Sequence, residues 1–266
     1  MENIKNEYLD TAIYAVIESG KILMSNLNKK KKVGYKGKIN LVTDVDMKSE
    51  KNILQIIKEK HPLHNIVAEE SQPENQNSEY TWYIDPLDGT TNYSHDYPIF
   101  AISIALEINN KIQVGVVFDP VRNELFYAVK GKGAYLNEKK ISVSKIRQLK
   151  RSLLATGFPY IITDRSIKLF NHFLSKAQAI RRAGAAALDL CYLALGRIDG
   201  FWELDLKSWD MAAGKIIIKE AGGIITNFKG GEHSLFDDNT LASNGFIHKE
   251  MINEIEKADL LSLKRK

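Results

Sequence analysis

A chain of 266 residues with 44% hydrophobic content has room for one large core or two closely packed ones. Its 37 basic and 33 acidic residues leave a net charge of only +4, which argues neither for nor against an anionic small molecule or a weak nucleic-acid contact. A single cysteine, Cys191, excludes an internal disulfide and a thiolate metal cluster and points to a reducing cytoplasm.

Residues Met1 to Glu7 lack the apolar stretch of a signal peptide, and no segment is long enough to span a bilayer, so no membrane partner is expected. Leu9, Ile13, Val16, Gly20, Leu23 and Leu27 recur at helical spacing and predict an amphipathic first helix. It runs into Lys29-Lys30-Lys31-Lys32 and then Gly34 and Gly37, a loop whose cations complement the helix dipole. No aromatic interleaving extends that run into a nucleic-acid patch. Leu41-Val42-Thr43 reads as a short strand, with Asp44 as cap of a second helix carrying Met47, Ile53, Leu54 and Ile57. Asn65 to Ala68 is a strand ending in Glu69-Glu70; neighbouring strand residues face opposite sides, so only one of these acids can share a site with Asp85.

The apolar run Trp82-Tyr83-Ile84 leads directly into Asp85-Pro86-Leu87-Asp88-Gly89-Thr90-Thr91-Asn92. A proline confines the preceding residue to extended geometry, so Asp85 is expected to close the strand. Pro86 suits the second position of a tight turn, which would bring the Cα atoms of Asp85 and Asp88 within about 7 Å. Two carboxylates that close repel each other unless protons or cations intervene. The Gly89–Asn92 segment offers N–H groups and hydroxyls as an anion cradle at a helix start. Acids beside an anion site indicate metal-assisted phosphate chemistry.

From Phe100 to Val143 the pattern becomes an antiparallel meander, with runs at Ala101–Leu106, Ile112–Phe118 and Glu124–Val129. Gly131-Lys132-Gly133 lacks the later glycine of a dinucleotide fingerprint and reads as a turn. Thereafter strand and helix alternate: a strand at Ser152–Thr156, a helix at Ser166–Ala177, one helical face holding Ala187, Leu190, Cys191 and Ala194, and a helix through Trp209, Ala212, Ala213, Ile216 and Ile217. Gly222-Gly223 stops that helix before strand Ile224-Ile225-Thr226. Mixed strands with flanking helices imply a layered α/β (α+β) architecture. A soft boundary near 145 divides a half at 1–145, with the antiparallel sheet and main metal-site motifs, from an α/β half at 146–266 that completes the site.

No Walker loop, serine nucleophile elbow or paired-histidine zinc helix is present, and the six histidines are scattered. Asp210, after Ser208-Trp209, lies in the first turn of its helix, where the dipole alone favours an acid. The Asp85/Asp88 pair is more specific, since turn chemistry does not require both acids and the Gly-Thr-Thr together.

Trp82–Asn92 resembles the signature of the inositol monophosphatase family, as does Ser208-Trp209-Asp210-Met211-Ala212-Ala213-Gly214 with Glu220-Ala221-Gly222-Gly223 after it. Leu41–Asp46, Ala68-Glu69-Glu70-Ser71 and Arg182–Asp189 occur in the same order, so the likeness runs from about Lys36 to Gly223. Arg181-Arg182 and Gly196–Phe201 resemble the bacterial subgroup met as an extragenic suppressor.

The resemblance implies an αβαβα sandwich shared with fructose-1,6-bisphosphatase and a phosphatase acting on inositol 1-phosphate or a similar polyol phosphate. It implies two or three Mg²⁺ per site, held by Glu69, Asp85, the Leu87 carbonyl, Asp88 and Asp210, with Glu70 outside the set. Glu69 and a Thr90–Asp46 pair would orient a metal-activated water, and Gly89 and Thr90 N–H groups would receive the phosphate. Leu87, Asp88, Gly89, Thr90, Gly184, Ala185, Ala186, Glu203 and Asp210 would line the substrate site. Two departures from the family pattern, Asn40 and Ala185, bear on specificity, not on a metal ligand. The resemblance also implies a homodimer and Li⁺ inhibition. Its alternatives are a fructose-1,6-bisphosphatase, a 3′-phosphoadenosine-5′-phosphate phosphatase, or an accessory protein contacting RNA or transcription machinery. Only the lysine run and Lys264-Arg265-Lys266 support the last.

Overall fold

The computed structural model describes residues 6–29, 33–36, 40–159 and 161–263; Lys30–Lys32, Gly37 and Lys264–Lys266 lie outside them. Helix α1 (Glu7–Asn26) starts at Asn6, whose side chain accepts from the N–H groups of Tyr8 and Leu9 at 3.0 and 3.1 Å. Strands β1 (Val33–Lys36) and β2 (Asn40–Thr43) pair antiparallel and lead into α2 (Asp44–Lys60). The cap of α2 is Thr43, not Asp44. Thr43 accepts from Val45 and Asp46 N–H, and the Asp46 carboxylate returns to Thr43 N–H at 2.9 Å. That reciprocal box needs an acid three residues after the cap, and only Thr43 has one at this point.

Strands β3 (Asn65–Ala68) and β4 (Tyr80–Asp88) are parallel neighbours, and a short helix α3 (Thr90–Ser94) comes next. The meander is β5 (Ala101–Ile108), β6 (Lys111–Asp119), β7 (Glu124–Val129), β8 (Gly133–Leu136) and β9 (Lys139–Lys140). Together β3 to β9 form a seven-stranded sheet in chain order. Asn109 and Asn110 both have positive φ, 51° and 59°, the geometry a two-residue hairpin between right-twisted strands requires. The β5 run Ala101-Ile102-Ser103-Ile104-Ala105-Leu106 alternates small and large. Ile102, Ile104 and Leu106 pack with Val16, Leu23 and Ile53 of the α1/α2 layer, while Ala101 and Ala105 face the opposite core.

The second sheet collects β10 (Leu153–Thr156), β11 (Ala179–Arg181), β12 (Gly200–Leu204), β13 (Ile224–Thr226) and β14 (Asn239–Ser243), in the order β11-β10-β12-β14-β13. Helices α5 (Ala186–Ala194) and α6 (Ser208–Glu220) pack against each other between the sheets. Helices α4 (Asp164–Leu174) and α7 (His248–Leu263) cover the far face, where Phe173 stacks on Trp202 at 4.4 Å between ring centroids. The layers are therefore α1/α2, seven strands, α5/α6, five strands, α4/α7: an αβαβα sandwich.

The sequence places the α4 helix at Ser166–Ala177, two to three residues late. Thr163 and Ser166 cap it reciprocally, and Ser175 ends it. Strands β11, β12 and β14 and helix α7 escape the periodicity reading: β12 is buried along its whole length and so shows no alternation. Gly131 and Gly133 lie at the β7–β8 turn with φ of +76° and +90°, and their N–H groups donate to the Glu220 carboxylate at 2.7 and 2.8 Å. The Gly-Lys-Gly motif thus anchors the C-terminus of α6.

Candidate active site

The site grows from a defect in β4. Asp85 pairs with Ser103 and Asp88 with Ala101, which leaves two residues of β4, Pro86 and Leu87, against one of β5, Ile102, so the strand carries a β-bulge. Asp85 does not close the strand as expected: Pro86 sits within the bulge, where its missing N–H interrupts no ladder bond. The Leu87 N–H donates to Asp85 Oδ1 at 3.0 Å, and Pro86 O accepts from Ser49 Oγ at 2.8 Å, fixing the bulge from α2. Glu69 is held alongside by its N–H to Ile84 O at 3.2 Å. Glu70 instead donates its N–H to the Glu50 carboxylate at 2.8 Å.

Gly89 comes next with φ +93°; a Cβ there would stand 2.9 Å from Ile99 O, so only glycine fits. Thr90 Oγ1 donates to Asp46 Oδ1 at 2.9 Å and stands 3.1 Å from Leu87 O. Asp46, fully buried, also accepts from the Thr43 hydroxyl. With the Thr90 hydroxyl proton directed to Asp46, the Leu87 carbonyl beside Thr90 keeps its lone pairs for another partner. The Asn92 side-chain amide donates to Ile99 O at 2.8 Å and to Ala183 O at 2.9 Å, tying α3 to the second half of the chain.

That tie brings up the N-terminus of α5. Ala186 and Ala187 N–H groups donate to the two Asp88 oxygens at 3.1 and 2.8 Å, so Asp88 does the capping that Ala185 has no side-chain oxygen to provide. Asp210 caps its own helix, accepting Lys207 N–H at 2.7 Å. Glu69, Asp85, Asp88 and Asp210 line one cavity of about 1060 Å³, together with Gly89, Thr90, Gly184, Ala185, Ala186 and Glu203. Asp46 is fully buried and does not line the cavity itself; it reaches it only through its hydrogen bond to Thr90. Of the site residues named from the sequence, all but Asp46 line this cavity, and Asp46 is bonded to one that does.

Burial lifts the carboxyls of Asp85, Asp88 and Asp210 above the usual carboxylate range, and their mutual repulsion with Glu69 lifts them further. The N–H groups of α5 partly offset this at Asp88, and Lys207 N–H does so at Asp210. No three His, Cys, Asp or Glu side chains among the described residues stand close enough together, as placed, to ligate one ion. The donor set fits a hard divalent cation in its chemistry: it is all oxygen, and carboxylates gathered in one cavity repel unless protons or a cation intervene.

Sequence alone assigns no role to Gly157, Phe158, Pro159, Ile161 and Ile162, to Lys207, or to Arg182 and Asp189, which also line the cavity. A glycine directly after the β10 strand is the available signal for the loop. Asp189 is visible as an acid inside an otherwise apolar helical face.

A sequence model of the inositol monophosphatase family matches residues 5–260. The chain belongs to that family. It is 42% identical over 256 residues to the Nus factor SuhB of Haemophilus influenzae, covering 94% of this chain and 96% of that one. Among solved structures it resembles the extragenic suppressor protein SuhB of Bartonella henselae, at TM-score 0.92, 36% identity and coverage of 95% and 99%. It also resembles the inositol monophosphatase of Anabaena (Nostoc) sp. PCC 7120, at TM-score 0.84, 41% identity and coverage of 94% and 95%. The fold of a family phosphatase is therefore present, and no helix among the described residues is long and apolar enough to cross a membrane.

Proposed function

We propose that this chain hydrolyses a small sugar or polyol phosphate monoester, inositol 1-phosphate foremost, in a Mg²⁺-dependent reaction. The observation that carries this reading is the meeting of Glu69, Asp85, Asp88 and Asp210 with the Thr90–Asp46 pair around one cavity. Mg²⁺ held by Glu69, Asp85, the Leu87 carbonyl, Asp88 and Asp210 would neutralise phosphoryl charge and acidify the attacking water. The protein's own share is positioning. With its proton given to Asp46, Thr90 Oγ1 keeps a lone pair for a water hydrogen, and Glu69 accepts the other. Gly89 and Thr90 N–H groups receive the phosphate oxygens, and Glu203, Asp88, Asp210 and the 184–186 backbone meet the alcohol. No covalent nucleophile is required, since positioning and charge stabilisation carry phosphoryl transfer.

Li⁺ sensitivity, a homodimer and cytoplasmic residence belong to the same proposal. Phosphate release is measured from inositol 1-phosphate, fructose 1,6-bisphosphate and 3′-phosphoadenosine 5′-phosphate, with and without Mg²⁺. The first ester should turn over fastest, and Asp210→Asn should lower its rate by at least about 100-fold. Mg²⁺-independent hydrolysis, or full activity in Asp210→Asn, refutes the reading.

The name Nus factor, carried by the SuhB relatives, favours a second role, in transcription, on the same chain. Asp210→Asn separates the two: co-purification with RNA polymerase should survive it while hydrolysis does not.

A further inference from the structure

Glu69 enters the cavity from just past the end of a strand. The register of β3 with β4 ends at Ala68–Ile84, and beyond it the Glu69 N–H still reaches Ile84 O at 3.2 Å. β3 is the outermost strand of the seven-stranded sheet, and its outer edge bridges to Glu74 at Ile66, ahead of the acid. A ligand placed there keeps its aim only if the backbone after it is held as well. The Glu50 carboxylate holds it. Glu50 lies in α2, is 3% exposed, and accepts the Glu70 N–H on Oε2 at 2.8 Å. The acceptor is a carboxylate and burial keeps water from competing, so the bond is a strong one. Both peptide planes that flank the Glu69 Cα are thereby fixed, one by β4 and the other by α2, and with them the direction of the Glu69 side chain.

Glu50 does not act alone on its helix. Asp46, Ser49 and Glu50 stand at i, i+3 and i+4, hence on one face of α2, and all three are buried. Asp46 accepts from Thr90, Ser49 donates to Pro86 O, and Glu50 accepts from Glu70 N–H. One turn of α2, capped at Thr43, therefore touches each segment that carries the site: the end of β3, the β4 bulge and the start of α3.

We propose that Glu50 is a positioning residue for the metal site: by holding the Glu70 N–H it aims Glu69, and it does so by its reach as a hydrogen-bond acceptor, not by its charge. The inference rests on the phosphatase reading above, which takes Glu69 as a Mg²⁺ ligand. Reach and charge can be separated at this position. Glu50→Gln keeps an acceptor oxygen at the same distance from the backbone and drops the charge. Glu50→Asp keeps the charge and withdraws it by one methylene, which takes it off the Glu70 N–H.

The test is titration calorimetry of EDTA-treated wild type, Glu50→Gln and Glu50→Asp with Mg²⁺, beside thermal melts of each in EDTA. Glu50→Asp should weaken Mg²⁺ binding by about tenfold, while Glu50→Gln should stay within about threefold of wild type. The Mg²⁺ concentration for half-maximal phosphate release from inositol 1-phosphate should rise in step with the calorimetric constant. Unchanged affinity in Glu50→Asp overturns the proposal. So does an equal loss in Glu50→Gln, which would make Glu50 a source of charge. A lower melting temperature in EDTA with unchanged Mg²⁺ affinity also overturns it, since Glu50 would then serve the fold alone. Should Glu50→Asp not fold, wild type decides by hydrogen exchange. If the Glu50 bond and the ion are coupled, Mg²⁺ must slow exchange of the Glu70 amide, and an unchanged rate overturns the proposal. Wild type that binds no Mg²⁺ defeats the phosphatase reading and this one with it. Mg²⁺-dependent phosphate release by wild type, with affinity unmoved in Glu50→Asp, defeats this one alone.

Discussion

His233 and His248 are buried at 2% and 6% exposure, and each is held neutral by its surroundings. His248 bridges Ser243 and Thr226, both at 2.9 Å. His233 hydrogen-bonds Thr240 at 3.0 Å, while its Nδ1 has no partner among the described residues and Lys215 stands nearby. Burial pulls both pKa values down to about 4 from the usual 6.5. The unfolded chain therefore binds more protons than the native one between pH 6.5 and 4. Their contribution is complete above 6.5 and is lost as pH falls towards 4, up to about 3 kcal/mol for each. Urea midpoints at pH 7 and 4.5 check this: His248→Gln should show a distinctly smaller drop than wild type, and equal drops would remove the argument. Nothing local in the chain marks which of the six histidines are buried, because burial here is decided by β13, β14 and α6 packing together.

At the scale of elements, small residues set the spacing of the layers. Gly115 in β6 faces α6, and a Cβ there would meet Ile216 Cγ2 at 2.5 Å and Ala213 O at 2.8 Å. The backbone of α6 cannot yield as a side-chain end can, so Gly115→Ala should cost about 1–3 kcal/mol. Gly131 has open space around its Cβ position and only its φ of +76° to strain, so Gly131→Ala should cost about 1 kcal/mol. Thermal melts of the two variants should rank Gly115→Ala as the more destabilised, and the reverse order would mean that α6 does not rest on β6 this closely. The small–large alternation of β5 announced which face was crowded. The glycine in β6 did not announce what approached it, since α6 comes from about a hundred residues further on.

At the scale of the molecule, the acidic cavity sits where the seven-stranded sheet, α3 and the starts of α5 and α6 converge. Gathering carboxylates there carries a charge cost that a bound cation would offset. A cation that binds only the native state stabilises it by about 2.7 kcal/mol at 100 times its dissociation constant. Millimolar Mg²⁺ should therefore raise the melting temperature over that in EDTA, and Asp210→Asn should shrink the rise. A melting temperature indifferent to Mg²⁺ in wild type would argue that these acids do not share an ion.

The residues themselves determined much: the apolar periodicity specified α1 and α2, the asparagine turn and alternation specified the meander, and Asp85–Asn92 marked the chemistry. These signals are local, carried by backbone restriction, side-chain period and charge within a few neighbours. Tertiary structure alone decided the rest. It made a bulge out of the expected turn at Pro86, because β5 pairs on both sides of it, and gave Thr43 the cap because Asp46 reached back. It set Asn92 to clamping Ala183 and Asp88 to capping α5, bonds that cross about ninety residues of chain. Long-range hydrogen bonds and burial leave no periodic trace in the elements they join, which is why the loop at Gly157 and the carboxylate of Asp189 entered the site only through the fold.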